Sequence, residues 1–311
     1  MVKVIIDCDP GIDDALALIL AINSKQMEIE AVTTVGGNVP VETSTTNALK
    51  ILELTERTDV PVAKGLNPKK AVEKSSGMHG EDGLGDTGLP EPRVKPSSLN
   101  AKETILSTTG KGDTHIVSLG PLTNIASAIQ EEPSLTRRIR SLTVMGGAIT
   151  APGNITPSAE FNIYMDPEAA RTVFHSGMKI TLVPLDVTMK ALLKEEHLKL
   201  MEPPTTRTAE FVSKALRHYL GMYRRNAGID GCPLHDPLAV AHLLDPTLMR
   251  KERLYVDVET KGEITVGETV ADLRGGERRT KKTNMEVCLE LDSGRFIEKF
   301  LEAINPTHLE R

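Results

Sequence analysis

The sequence predicts an α/β fold: an open, mostly parallel sheet with helices on both faces. Three observations predict it. Continuous apolar runs such as VKVIIDC, THIVSLG and KITLVPLD read as strands buried on both sides. These runs alternate with segments of helical period. Their exits are rich in Gly, Asn and Asp, as in DCDPGIDD, TTVGGN and VMGGAITAPGN, and ligands of such sheets bind beyond the carboxyl ends of the strands.

Taken in order, VKVIIDC is a strand closed by Pro10-Gly11, with a helix over about 12–22. IEAVTTV (29–35) is a strand, then a Gly-Gly-Asn loop and a helix over about 41–56. VPVAKG is a short strand. Residues 64–98 carry many Gly and Pro without a period, and a loop of that length is usually functional or mobile. Asn100 and Glu103 form a capping-box pattern that starts a helix. THIVSLG (114–120) and SLTVMGG (141–147) are strands, with a helix from about Leu122 between them. In DPEAARTVFHSG, Asp166 is the N-cap, Pro167 the first helical residue and Gly177 lies past the end. KITLVPLD is a strand. A long helix covers about 205–225, and a short buried helix begins at Asp236. The last third reads as strands at 254–260, 263–267 and 285–291 and a helix at 294–304. No repeat or low-complexity tract occurs.

The 311 residues are 39% hydrophobic and 26% charged, enough to bury about three quarters of the surface an unfolded chain exposes. We read residues 1–311 as one domain. The formal net charge of −6 argues against nucleic acid as a partner. RGGERRTKK at 274–282 is then a solvated loop. Cys8, Cys232 and Cys288 cannot all pair and show no metal-binding spacing. No signal peptide is visible, and ALALILAI is far short of the ~20 apolar residues of a membrane span. The expectation is a cytoplasmic protein without membrane contact.

The stretch DCDPGIDDALA places Asp7, Asp9, Asp13 and Asp14 inside an apolar start. Buried unpaired charge costs several kcal/mol or more, roughly, so such acids take up protons or find a cation. One Asp in a first helical turn is ordinary, since it complements the helix dipole. Four at one strand exit repel one another, and a hard divalent cation with oxygen ligands is the simpler account. Asp236, before Pro237, reads on its own as an N-cap like Asp166 and Asp245, and His235 as a satisfied half-buried histidine. GNITPSAEFNIYMDPEAA holds Asn154, Glu160 and Asn162, which suit a polyhydroxyl ligand or local loop capping.

Together these stretches resemble the nucleoside hydrolases of the inosine–uridine-preferring type. DCDPGIDDALA is similar to that family's N-terminal motif. TTVGGN, HGEDGLG, GPLTNIA, VMGGA, AEFNIYMDPEAA and HDPLAVA follow in the family's order, from residue 4 to about 245. The resemblance implies an open α/β sandwich with a Rossmann-like core, hydrolysis of the N-glycosidic bond of ribonucleosides in salvage, a tightly held Ca²⁺, and a homodimer or homotetramer. Carried over by motif, Asp9, Asp14, Asp236 and the backbone carbonyl of Leu119 would hold Ca²⁺. Asp13, Asn38, Asn154, Glu160 and Asn162 would hold the ribose. His79 would approach the substrate, His235 would lie near the base, and Asp7 would back the cluster. The family's purine-specific branch stacks the base between tryptophans, and this chain has none. Tyr219 and Tyr223, one turn apart, face the base or pack in the core; their spacing shares a face in either case.

The expected mechanism has a water activated at the cation, Asp9 as general base and His235 as general acid near its ordinary pKa of ~6.5. Glu160 offsets charge on an oxocarbenium-like sugar. Two rivals stand beside it. A Mg²⁺ phosphohydrolase also uses DxD at a strand exit, but no phosphate cradle is present. A non-enzymatic nucleoside-binding protein would keep the Asn and Glu contacts without needing the acids.

Overall fold

The computed structural model describes residues 1–70, 77–275, 278 and 280–304. The first half of the chain gives β1 (Val2–Cys8), α1 (Ile12–Asn23), β2 (Met27–Thr34), α2 (Val41–Leu54), β3 (Val62–Lys64) and α3 (Ala101–Thr108). It continues with β4 (His115–Ser118), α4 (Thr123–Glu131), α5 (Leu135–Arg138), β5 (Ser141–Met145), α6 (Phe161–Met165) and α7 (Pro167–Phe174). Next come β6 (Ile180–Val183), α8 (Leu185–Thr188), β7 (Leu192–Leu193), α9 (Glu195–Lys199), α10 (Arg207–Ala227), β8 (Cys232–Pro233) and α11 (His235–Leu244). The last stretch holds β9 (Met249–Leu254), β10 (Val256–Val258), β11 (Thr269–Ala271), β12 (Met285–Leu291) and α12 (Ser293–Ile304).

Eight strands form one sheet in the order β3-β2-β1-β4-β5-β6-β12-β9. All neighbours are parallel except β12 and β9. Side chains alternate across a strand, so β1 feeds both faces. Val4, Ile6 and Cys8 join one apolar cluster with α1, α2, α10, α11 and α12. Ile5 joins the other, with α3, α4 and α7. This double burial is why β1 reads as an unbroken apolar run. The chain steps from β1 outward to β2 and β3, then returns to the far side of β1 as β4. Strand direction of travel therefore reverses between β1 and β4, the point where open α/β sheets leave a crevice.

The predicted α/β class and most elements are observed, with differences in the last third. The run at 263–267 is a turn, because Val266 N–H donates to the Gly262 carbonyl (3.1 Å) and Gly267 sits at φ +87°. The strand expected at 254–260 is two, β9 and β10. β9 (MRKERL) is charged because it is an outer strand pairing only with β12. KITLVPLD breaks at Pro184: β6 ends at Val183 and α8 follows. The long helix starts later than expected, with Thr206 Oγ1 accepting from Ala209 N–H (3.0 Å), and ends at Gly228 in the left-handed region. Part of the 274–282 loop lies outside the described residues. No helix among the described residues is long and apolar enough to cross a membrane.

Candidate active site

The acids meet at the carboxyl edge of the sheet, where β1 adjoins β4. Pro10-Gly11 turns the chain from β1 into α1, and Asp14 closes that turn. Its Oδ2 accepts from Gly11 N–H (3.0 Å) and its Oδ1 from Asp9 N–H (3.1 Å). Asn38, after β2, adds its side-chain amide to Asp14 Oδ2 (3.1 Å) and its backbone N–H to Asp9 Oδ2. Asp9 is gripped on both sides by glycine backbone. A Cβ on Gly37 would lie 2.0 Å from Asp9 Oδ2, and one on Gly120 would lie 2.4 Å from Oδ1. The second glycine of TTVGGN and the glycine of GPLTN are thus explained by one carboxylate.

Asp13 Oδ2 accepts from the Tyr219 hydroxyl (3.2 Å), and His79 Nδ1 accepts from Ile12 N–H (3.0 Å). Asp236 resolves the capping question. Asp166 and Asp245 do cap their helices, through Ala169 N–H and Thr247 N–H. Asp236 instead sits inside the first turn of α11, behind Leu234 as N-cap. Asp13, Asp14 and Asp236 each bring an oxygen within 4.8 Å of the others, a group that could hold a metal ion. Among the described residues, Asp9 Oδ1 and Asp13 Oδ1 are buried without a hydrogen-bond partner. Asp7 lies off the cavity, its Oδ1 taken by Thr33 (2.6 Å) and Asn124 (2.8 Å).

The EFN stretch reaches the same place. Glu160 caps α6, accepting from Asn162 and Ile163 N–H, and also from Gly147 N–H after β5. Asn162 Nδ2 donates to the Leu119 carbonyl at 2.6 Å, which leaves Asn162 Oδ1 as an acceptor. Asn154 is the converse: its Oδ1 accepts from Phe161 N–H (2.9 Å), leaving Nδ2 to donate. Both local capping and a free polar edge are therefore true of these residues.

On the opposite wall, the Tyr223 hydroxyl meets His235 Nε2 at 3.0 Å, and His235 Nδ1 meets Thr188 Oγ1 at 2.8 Å. Tyr219 and Tyr223 stand edge to face, centroids 4.9 Å apart. A cavity of about 480 Å³ is lined by Asp13, Asn38, His79, Leu119, Asn154, Glu160, Asn162, both tyrosines, His235 and Asp236. Asp9 and Asp14 are fully buried beside it. No Lys or Arg is among the described residues that line it. A larger cavity of about 850 Å³, by Arg171, Asp257 and Lys281, is a separate feature lacking these acids.

Burial dominates the electrostatics. It pushes Asp14 up to about 7, helped by Asp13, and Asp13 up to about 6. Asp9 and Asp236 are also raised, first by burial and then by the neighbouring carboxylates. Burial lowers His79 to about 4 and His235 to about 3. His235 is thus a neutral imidazole, and the ordinary range assumed from sequence does not describe it.

The family model described as inosine-uridine preferring nucleoside hydrolase matches residues 4–298. The chain belongs to that family. Its reaction is the hydrolysis of ribonucleosides at the N-glycosidic bond. Two relatives are named pyrimidine-specific ribonucleoside hydrolase RihA. The one from Photobacterium profundum is 43% identical, covering 97% of this chain and 98% of the relative. The one from a Shewanella species is 38% identical over 99% and 98%. Among solved structures, a purine-preferring ribonucleoside hydrolase from Gardnerella vaginalis superposes with a TM-score of 0.92 at 34% identity, covering 99% of this chain and all of that one.

The structure brings every ribose and base residue expected from sequence onto one cavity. The compact acid group is Asp13, Asp14 and Asp236; the carboxylate of Asp9 is not part of it, and Asp9 meets Asp14 through its backbone N–H. Sequence reasoning missed Asp186 and Thr188. The signal was present: Pro184 ends a buried strand and an acid follows two residues later at the same sheet edge.

Proposed function

We propose that this nucleoside hydrolase prefers pyrimidine ribonucleosides and works with Ca²⁺ held by Asp9, Asp14, Asp236 and the Leu119 carbonyl. The carrying observation is the meeting of buried carboxylates with Asn38, Asn154, Glu160 and Asn162 on one cavity. The donor set fits a hard cation: it is all oxygen, with an unpartnered atom on Asp9 and another on the adjoining Asp13. A carbonyl has two lone pairs, so Leu119 keeps one beyond its bond to Asn162. Calcium takes roughly 6–8 oxygens and tolerates irregular sites better than Mg²⁺. When bound, the cation supplies an acidified water and Lewis acidity toward the sugar diol.

The chain's own groups do the rest. Asp9 Oδ1 is the free carboxylate atom, Oδ2 being held by Asn38, so Oδ1 accepts the water proton. Asn162 accepts from a ribose hydroxyl, Asn154 donates to one, and Asp13 and Asn38 complete the grip. Glu160 and Asp13 offset positive charge as the C–N bond opens. The leaving base takes a hydrogen bond from the Tyr223 hydroxyl, to which the neutral His235 ring donates its Nε2–H while Nδ1 accepts from Thr188. Tyr219 is committed to Asp13, which leaves Tyr223 facing the base. His79 closes the wall beside Asp13.

The pyrimidine preference rests on the two RihA relatives, more similar to this chain than the purine-preferring structure. Three buried free cysteines fit a reducing cytoplasm. A homodimer or homotetramer follows from the family resemblance. The test is free ribose released from uridine, cytidine, inosine and adenosine, before and after metal stripping. Uridine and cytidine should lead, and Ca²⁺ should restore stripped enzyme better than Mg²⁺. Faster purine turnover overturns the base preference; indifference to chelation overturns the metal.

A further inference from the structure

The four-residue helix α8 bonds to both walls of the cavity without lining it. At one end, Asp186 is buried, and every hydrogen bond to its carboxylate comes from one loop. Ile149 N–H and Thr150 N–H donate at 2.8 Å, Ala151 N–H at 3.2 Å, and the Thr150 hydroxyl adds a fourth. The α8 backbone joins in, Leu185 N–H donating to the Gly147 carbonyl (2.9 Å). Three residues later the same loop places Asn154 on the cavity. Nothing slack lies between: a Cβ on Gly153 would come within 2.3 Å of the Thr156 and Ala159 carbonyls, and Asn154 N–H donates to Ala159 (3.1 Å).

At the other end of α8, the Thr188 hydroxyl meets His235 Nδ1 at 2.8 Å. The segment before His235 is tied to the chain just after α8, Leu234 N–H donating to the Ala191 carbonyl (2.9 Å). The sugar wall and the base wall come from residues 149–154 and 235, far apart in sequence. One rigid turn sets both.

We propose that α8 is a bracket that fixes the spacing between Asn154 and His235, with Asp186 and Thr188 as positioning residues acting through them. This rests on the ribose and base roles given above for Asn154 and His235. Burial raises the Asp186 carboxyl, but the Thr150 hydroxyl and the three amides outweigh it and keep it ionised. It therefore stays an acceptor for all four donors.

Two double-mutant cycles test the bracket on uridine turnover by the metal-loaded enzyme. Misplacing a positioned group by about 1 Å can cost on the order of 100-fold. Asp186→Asn should lower kcat/KM by about 10- to 100-fold alone, and by less than about 3-fold when Asn154→Ala is already present. Thr188→Val should behave the same way against His235→Ala, and Thr188→Ser should restore most activity. Thr150→Ala is the milder probe if Asp186→Asn folds poorly. Hydrogen exchange supplies a readout independent of turnover: amides 149–154 should exchange faster in Asp186→Asn and remain protected in Thr188→Val. Multiplicative losses in either cycle, or unchanged exchange at 149–154, overturn the bracket. A wild-type enzyme that releases no ribose overturns the assigned roles instead, and exchange still decides the bracket.

Discussion

Stripped of divalent cations, this protein should be more stable in mild acid than in mild base. Burial holds Asp14 at about 7 and Asp13 at about 6 in the fold, with Asp9 and Asp236 raised as well. In the unfolded chain each titrates near ~3.9. Between those values the native state binds more protons than the unfolded one, so stability falls as pH rises through the window and stays low above it. For Asp14 alone a rise of about 3 units corresponds to about 4 kcal/mol at pH 8. With unfolding entropy of about 2.1 cal/mol/K per residue, a chain of this length loses about 6 °C in Tm for that amount. A cation at about 1,000 times its Kd returns about 4 kcal/mol at high pH and less at low pH, where it must displace protons. The assay is scanning calorimetry of chelated protein from pH 5 to 8, repeated with millimolar CaCl₂. The chain has no Trp, so calorimetry or circular dichroism is preferable to intrinsic tryptophan fluorescence. A chelated Tm that is flat or rising from pH 5 to 8, with no Ca²⁺ shift at pH 8, would refute the account of the acid cluster.

The other expectations concern single groups. Asp9→Ala should lower kcat by about 10²–10⁴, measured as ribose release at saturating uridine; retained turnover removes Asp9 as the base. His235→Ala should slow uridine far more than a nitrophenyl riboside, whose leaving group needs no proton; equal losses on the two deny His235 its role. Gly37→Ala forces a methyl onto Asp9 Oδ2 and should cost about 1–3 kcal/mol in denaturant titration together with most activity. Loss of the 2′ hydroxyl strands buried polar groups, so 2′-deoxyuridine should fall below uridine in kcat/KM by about 10⁴.

Much of this was legible in the sequence because strand burial on both faces and strand-exit chemistry leave local marks. β1 announces itself by apolar residues on both faces, and the Asp9–Asp14 turn by Pro10-Gly11. What was not legible depends on long-range pairing. β9 looks like a charged surface segment until β12 lies beside it. Glu160 and Asn162 read equally as caps or contacts; in the fold Glu160 caps α6, Asn162 bonds the Leu119 carbonyl, and both line the cavity. The same holds for Asp236, whose neighbours look like those of Asp166 until geometry shows which acid caps a helix. His235 was misjudged in its protonation because burial is a property of the whole cavity, not of HDP.

Hydrogen-bond direction makes the site selective in a way that composition cannot show. Asn162 spends its amide nitrogen on the Leu119 carbonyl, and Asn154 spends its amide oxygen on Phe161 N–H. The edges left over are one acceptor and one donor, fixed in place by backbone. A sugar hydroxyl can answer either. A phosphate can answer only the donor, and among the described lining residues it meets several carboxylates and no Lys or Arg. Two like charges about 4 Å apart repel by about 4 kcal/mol at an effective dielectric of 20. Uridine 5′-phosphate should therefore react far more slowly than uridine, and equal kcat/KM on the two would refute this account of the walls.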